Sequence, residues 1–187
     1  GITGEIRVPG DKSISHRSIM LGALADGVTT VEGFLEGEDA IATVKAFRDM
    51  GVQIDGPNEG RVTIQGVGRD GLKAPVAPLY MGNSGTSMRL MCGILAGQLF
   101  DSELTGDSSL SRRPMRRVSE PLALLGAIVE TSVDGFPPIK IRGGQTLKGS
   151  HIDMQVASAQ VKSALLLAGL YAKDETNITE PAPTRDH

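Results

Sequence analysis

Apolar positions along this chain fall into short alternating stretches and longer helical stripes, and the two follow each other in a regular order. Residues 5–8 predict a strand, 13–25 a helix ending at Asp26-Gly27, and 28–34 a second strand rich in Val and Thr. Residues 39–50 predict a helix with Ile41, Val44, Phe47 and Met50 at every third position, stopped by Gly51. Residues 52–55 and 61–65 flank Gly56-Pro57-Asn58-Glu59-Gly60, the mark of a hairpin.

After a Pro-broken link at 73–78 the order comes round again. Asn83-Ser84-Gly85-Thr86 opens a helix with Met88, Met91, Cys92, Leu95 and Leu99 on one face, and a strand follows at 100–105. Residues 114–125 predict the next helix, with Pro121 as a kink or restart, and 127–131 and 138–142 flank a turn at Asp134-Gly135. A third round starts with a helix from Ser158 to about Tyr171 and a strand at 175–180. The leading helices begin near residues 13, 84 and 158, a spacing that argues for a repeated supersecondary unit whose third copy is incomplete by about 40 residues.

Repeats stack equivalent positions at the same end of a body. The helix starts at Lys12-Ser13, Asn83-Ser84-Gly85 and Ser158-Ala159-Gln160 are therefore expected to converge, with the segments around Glu36 to Asp39, Arg112-Arg113 and Arg185 nearby. A helix start leaves backbone N–H groups unpaired and carries partial positive charge, so such a cluster suits an anion. Lys12 and Arg17, one turn apart, add two cations to the first start, and Ser13 is expected as its N-cap. Gly85 in a first helical turn is costly unless a ligand needs the backbone close. Arg113-Pro114 puts a guanidinium directly before a helix, with Pro suited to the first turn.

Composition narrows the ligand. Aromatics make up 3% of the 187 residues, with no Trp, which removes the usual base-stacking platforms. A net charge of −3 speaks against broad nucleic-acid or acidic-membrane binding, so local cations point to a small anion. The single cysteine, Cys92, lies in an apolar helical stripe and reads as a core thiol of a cytoplasmic protein rather than a nucleophile. The apolar run at 90–100 is too short to span a bilayer, and no secretory leader is expected. His16, His151 and His187 have no metal-ligand spacing and read as surface or structural residues. Gly66-Val67-Gly68-Arg69-Asp70-Gly71 fits a dinucleotide pattern but is followed by Leu72-Lys73-Ala74-Pro75, a poor helix opening. Gly10-Asp11-Lys12-Ser13 echoes a phosphate loop without its glycine spacing.

Four stretches together carry a specific resemblance: residues 10–17 (GDKSISHR), 82–89 (GNSGTSMR), Arg113-Pro114-Met115, and 158–163 (SAQVKS). In this order they closely resemble the 5-enolpyruvylshikimate-3-phosphate synthases, and the last, with the terminal Thr-Arg-Asp-His, is similar to the bacterial class II branch. The resemblance implies an α/β fold of βαβαββ units, three to a domain in a pseudo-threefold, inside-out arrangement of buried helices wrapped by sheets. On that basis residues 1–187 form most of the first of two domains, with the third repeat incomplete and the second domain absent.

The implied reaction is transfer of the enolpyruvyl group of phosphoenolpyruvate to the 5-hydroxyl of shikimate 3-phosphate, in the shikimate pathway to chorismate and the aromatic amino acids. It proceeds without metal or organic cofactor. The resemblance makes Lys12 a catalytic residue touching both substrates, while Ser13, Arg17 and Ser158 hold shikimate 3-phosphate. Gln160 contacts both ligands, Arg185 helps bind the sugar-acid phosphate, Gly85 and Arg113 line the phosphoenolpyruvate side, and Asn83 is a further substrate-binding residue. Ala159 stands where many relatives have serine, which removes one phosphate hydrogen bond that Arg185 could replace. Glyphosate is the family's inhibitor, and glycine at Gly85 resembles the sensitive form. Because the family's proton-transfer carboxylates lie in the other domain, the chain alone is expected to be inactive, a binding module or a complementable half-enzyme. The related UDP-N-acetylglucosamine enolpyruvyl transferases are the alternative, but their reactive-cysteine loop has no counterpart here.

Overall fold

The computed structural model describes residues 8–184. Its elements run α1 (Lys12–Leu24), β1 (Asp26–Val31), α2 (Glu38–Asp49), β2 (Gln53–Asn58), β3 (Arg61–Val67), β4 (Leu79–Tyr80), α3 (Gly85–Ala96), β5 (Ser102–Thr105), α4 (Arg116–Leu124), β6 (Ile128–Glu130), β7 (Ile139–Arg142), β8 (His151–Asp153), α5 (Ala159–Gly169) and β9 (Asn177–Thr179). The strand expected at 5–8 lies outside the described residues apart from Val8, which is not in a strand.

Three sheets wrap the helices. The first is antiparallel, in the order β1-β3-β2, with Val28 opposite Gln65 and Ile54 opposite Ile64. The second has the order β4-β5-β7-β6, with β4 parallel to β5 across α3 and the hairpin strands antiparallel. The third pairs β8 with β9 in parallel across α5. Strand, helix, parallel strand is a connection that needs a helix-length crossover, and α3 and α5 supply it. Neither β4 nor β8 is legible as a strand in the sequence. Each has two or three residues and is held by a partner beyond the following helix.

Helix α3 lies deepest, with Met88, Leu90, Met91, Cys92, Ile94 and Leu95 fully enclosed, and past its polar first turn and Arg89 it is apolar on every side. Its close approach to α5 requires Gly93, where a Cβ would stand 2.1 Å from the Ala164 carbonyl oxygen. Leu99, expected on the same face, lies past the helix end and is 90% exposed. In α2 the buried face is Ala40, Thr43, Val44, Ala46 and Phe47, and Ile41 of the expected stripe is exposed. Burial at i, i+3, i+4 and i+7 rather than every third residue is what a 3.6-residue period requires. Helix α4 starts at Arg116, later than Pro114, and runs through Pro121. Residues 66–71 leave β3 into a turn and an extended link, with no helix to receive a dinucleotide.

Candidate functional site

Helix α1 begins one residue earlier than expected. Asp11, not Ser13, is its N-cap, in extended conformation with its carboxylate accepting from the Ile14 N–H at 2.7 Å. Lys12 is thus the first helical residue, and its ammonium pairs with Asp39 in the first turn of α2. Asp39 also accepts from the Asn83 backbone N–H at 2.9 Å, so one carboxylate ties the starts of α1 and α2 to the segment entering α3. Burial pushes the Asp39 carboxyl up. The Lys12 hydrogen bond, the Asn83 N–H and the Lys12 charge outweigh that and leave it below the ordinary carboxylate range.

Helix α3 opens within the expected Asn83–Thr86 stretch, and Ser84 caps it, its Oγ accepting from the Ser87 N–H at 3.0 Å. Beside it, Asn83 donates to both carboxylate oxygens of Asp107 at 3.1 and 3.0 Å and accepts from Arg113 at 3.3 Å. Two guanidinium groups fill the space over Gly85: a Cβ there would lie 2.7 Å from Arg89 Nη1 and 3.3 Å from Arg113 Nη1. Arg89 donates to Gln160 Oε1 at 2.8 Å, and Gln160 in turn donates to Thr86 Oγ1 at 2.8 Å, which brings the start of α5 against that of α3. Burial, then the charge of Arg113, lowers the pKa of the Arg89 guanidinium below its ordinary value.

A continuous series of contacts therefore joins Lys12, Asp39, Asn83, Arg113, Gly85, Arg89 and Gln160, from five separate segments. A cavity of about 430 Å³ opens against Lys12, Glu36, Gly37, Glu38, Asp39 and Asn83, so at this end of the series three carboxylates surround one ammonium. Its wall includes the first backbone groups of α2, whose N-cap, Gly37, offers no side chain to satisfy them. Cations outnumber carboxylates along this series, and a two-pronged guanidinium pair is suited to phosphate or carboxylate.

The other expected residues are placed at its margin. Arg17 donates to Ser163 Oγ of α5 at 3.1 Å and to the Ser13 carbonyl at 3.4 Å, so it bridges α1 and α5. Ser158 caps α5, accepting from the Val161 N–H at 3.3 Å, and borders a separate groove of about 340 Å³ beside α4. Ala159 is buried as the first residue of α5. Arg185 lies outside the described residues. Among the described residues no group of His, Cys, Asp and Glu could hold a metal ion. Cys92 is fully enclosed, and burial pushes its thiol up to about 12, so it carries no thiolate near neutral pH.

Arg89 and Thr86 join these contacts although the sequence reading gave them no role of their own. Arg89 had a signal, since it falls one turn after Gly85 and must overlie it if the helix starts there. Asp39 belongs to the segment expected beside the helix starts, but its pairing with Lys12 was not foreseen.

The chain matches, over residues 1–187, the family model described as EPSP synthase (3-phosphoshikimate 1-carboxyvinyltransferase). It is 67% identical to the 3-phosphoshikimate 1-carboxyvinyltransferase of Alkalilimnicola ehrlichii, over 100% of this chain and 42% of that protein. It is also 67% identical to the protein of the same name from Methylococcus capsulatus, over 98% of this chain and 42% of that protein. A solved EPSP synthase structure from Acinetobacter baumannii superposes with a TM-score of 0.95 at 64% identity, covering 98% of this chain and 41% of that one. The chain thus spans about 42% of the length of these curated relatives.

Proposed function

This chain belongs to the EPSP synthase family, and from that membership we propose that it forms one wall of a cleft in which the enolpyruvyl group of phosphoenolpyruvate passes to the 5-hydroxyl of shikimate 3-phosphate. The hydroxyl oxygen adds to the enol carbon and a proton goes to the methylene carbon. Loss of phosphate and a proton then restores the double bond. The observation that supports this most is the joining of Lys12, Asn83, Gly85, Arg113 and Gln160 at converging helix starts, within a frame shared with a solved EPSP synthase.

In this reading Lys12 contacts both substrates, and its pairing with Asp39 holds it in place until an anion competes for it. Arg113, Gly85 and Asn83 meet phosphoenolpyruvate. Ser13, Arg17, Ser158 and Gln160 meet shikimate 3-phosphate, with Arg185 assigned to the same phosphate. The inhibitor glyphosate is assigned to the phosphoenolpyruvate side beside Gly85, where an added methyl would crowd Arg89 and Arg113. In the completed enzyme Gly85→Ala then weakens glyphosate inhibition, and unchanged inhibition rejects that assignment. A cytoplasmic location accords with the one enclosed thiol.

The chain is further assigned to most of the first domain of a two-domain enzyme. Helix α2 packs beside α1, and α4 packs against α3 and α5. The remaining side, between α1 and α5, is instead an apolar groove of about 270 Å³ bordered by Leu21, Leu166 and Leu170. A helix from the rest of the enzyme occupies it in this reading.

With the proton-transfer groups located in the other domain, positioning alone sustains little turnover. The chain by itself is expected to release no phosphate from the two substrates, and to do so once the complementary part of the enzyme is added. Steady release by the chain alone overturns the division of labour. Absence of shikimate 3-phosphate binding, with or without the complement, overturns the assignment of the site.

A further inference from the structure

His16 is absent from the anion-binding series, yet three helices of that series meet at its ring. The ring is fully enclosed, with Nδ1 2.8 Å from Thr43 Oγ1 of α2 and 3.4 Å from Ser87 Oγ of α3, and Nε2 3.3 Å from Ser84 Oγ. Thr43 and Ser87 hydroxyls are themselves 2.6 Å apart, and all four side chains are buried. Each is one short step from a binding group. His16 follows Lys12 by one turn, Thr43 follows Asp39 by one turn, and Ser84 is the cap that immediately precedes Gly85.

A neutral imidazole has one donor and one acceptor nitrogen, and hydroxyls that can play either part satisfy both in either tautomer. Burial, then the positive charge of Lys12, lowers the His16 pKa to about 4, so the ring is neutral near neutral pH. A hydrogen-bonded group enclosed in this way is expensive to leave unpartnered, which gives the cluster one arrangement rather than several.

We propose that His16 is a positioning residue of the transferase site, tying α1 and α2 to the cap of α3 and so setting the separation between Lys12 and the Gly85 turn. The inference rests on the proposed enolpyruvyl transfer. Among the described residues no hydrogen bond links His16 to α5, so the effect is selective. It falls on the ligand gripped between Lys12, Gly85 and Arg113, which is phosphoenolpyruvate. Shikimate 3-phosphate, held by Ser13 and Arg17 of α1 and by Ser158 and Gln160 of α5, spans two helices that the Arg17–Ser163 hydrogen bond ties together without His16, and so feels it less.

The test uses the enzyme completed to the length of its relatives. His16→Leu keeps bulk and removes both ring nitrogens, whereas His16→Asn supplies one donor and one acceptor. His16→Leu is expected to raise KM for phosphoenolpyruvate by about tenfold or more while KM for shikimate 3-phosphate stays within about threefold, and His16→Asn to recover most of the loss. Should His16→Leu fail to fold, Ser87→Ala and Thr43→Val each remove one hydroxyl of the cluster and carry the same expected split. Equal changes in the two KM values, or lower thermal stability with unaltered kinetics, overturn the positioning role. An unmutated enzyme that turns over neither substrate refutes the transferase reading itself, whatever the variants do.

Discussion

Helix α1 has two flanks of opposite character. Toward α2 and α3 it presents His16 to a closed seam in which Thr43, Ser84 and Ser87 are all buried and hydrogen-bonded. Toward α5 it borders a groove whose floor is Met20, Leu90 and Leu167 and whose rim leaves Leu21, Leu166 and Leu170 about half exposed. A polar group can be enclosed only where its partners are fixed, because an unmet hydrogen bond in the interior costs about 1–3 kcal/mol. An apolar surface is indifferent to such detail and accepts whatever helix covers it. The seam that sets the geometry of the candidate site is therefore complete within this chain, and the side that is left open is mostly apolar, with Arg17 and Ser163 as its polar edge.

The largest effect expected from probing this contrast lies where the two flanks share α3. Gly93→Val drives a side chain into the Ala164 backbone and is expected to lower stability by about 3 kcal/mol or more, or to prevent folding. A shift of the chemical-denaturation midpoint within error of zero would show that α3 and α5 can move apart.

Next comes the seam itself, through pH. Unfolded His16 takes up a proton near the ordinary histidine pKa of 6.5, whereas in the fold its pKa is about 4. Stability from the neutral ring is thus present above pH 6.5 and falls away as pH drops toward 4, by up to about 3 kcal/mol. The groups facing the ring are Lys12 and Arg17 on its own helix, Asp39 on α2, and only hydroxyls from α3. Asp39, held below the ordinary carboxylate range, also withdraws stability as the pH falls, so the decisive quantity is the difference between unmutated chain and His16→Asn. That variant should show a flatter stability–pH profile between 6.5 and about 4, and identical slopes would contradict the buried neutral ring.

The smallest effect belongs to the groove. Leu21→Gln, on a half-exposed rim, should change the stability of this chain by no more than about 0.5 kcal/mol while reducing binding of a hydrophobic dye. A cost of several kcal/mol would mean that the rim is already covered.

The same contrast explains what could be read from the sequence. The helix starts near Ser84 and Ser158 were legible from the apolar stripes that follow, and the hairpins from their Gly-Pro-Asn and Asp-Gly turns. Asp11 and Ser13 are both good N-caps, and local pattern could not rank them. The structure selects Asp11, whose backbone carbonyl also accepts from Ser15 Oγ at 2.7 Å. The brief strands β4 and β8 exist only by virtue of distant parallel partners, which no local window contains. His16, expected as a surface or structural residue, is structural and enclosed. Its spacing with Ile19, Met20 and Ala23 is that of one helix face and already marked it as interior. Contact between the helix starts was expected from the repeat, but the hydrogen bonds that make it, Asn83 to Asp39 and Arg89 to Gln160, join different repeats and have no local signature.

The central claim is that separate helix starts form one anion site, and a residue-resolved titration tests it most directly. With this chain alone carrying 15N and the remainder of the enzyme supplied unlabelled, shikimate 3-phosphate should shift amide signals at Lys12–Arg17, Asn83–Thr86 and Ser158–Gln160 together, with one common dissociation constant. Shifts at only one of these starts, or at all three with different constants, would contradict it.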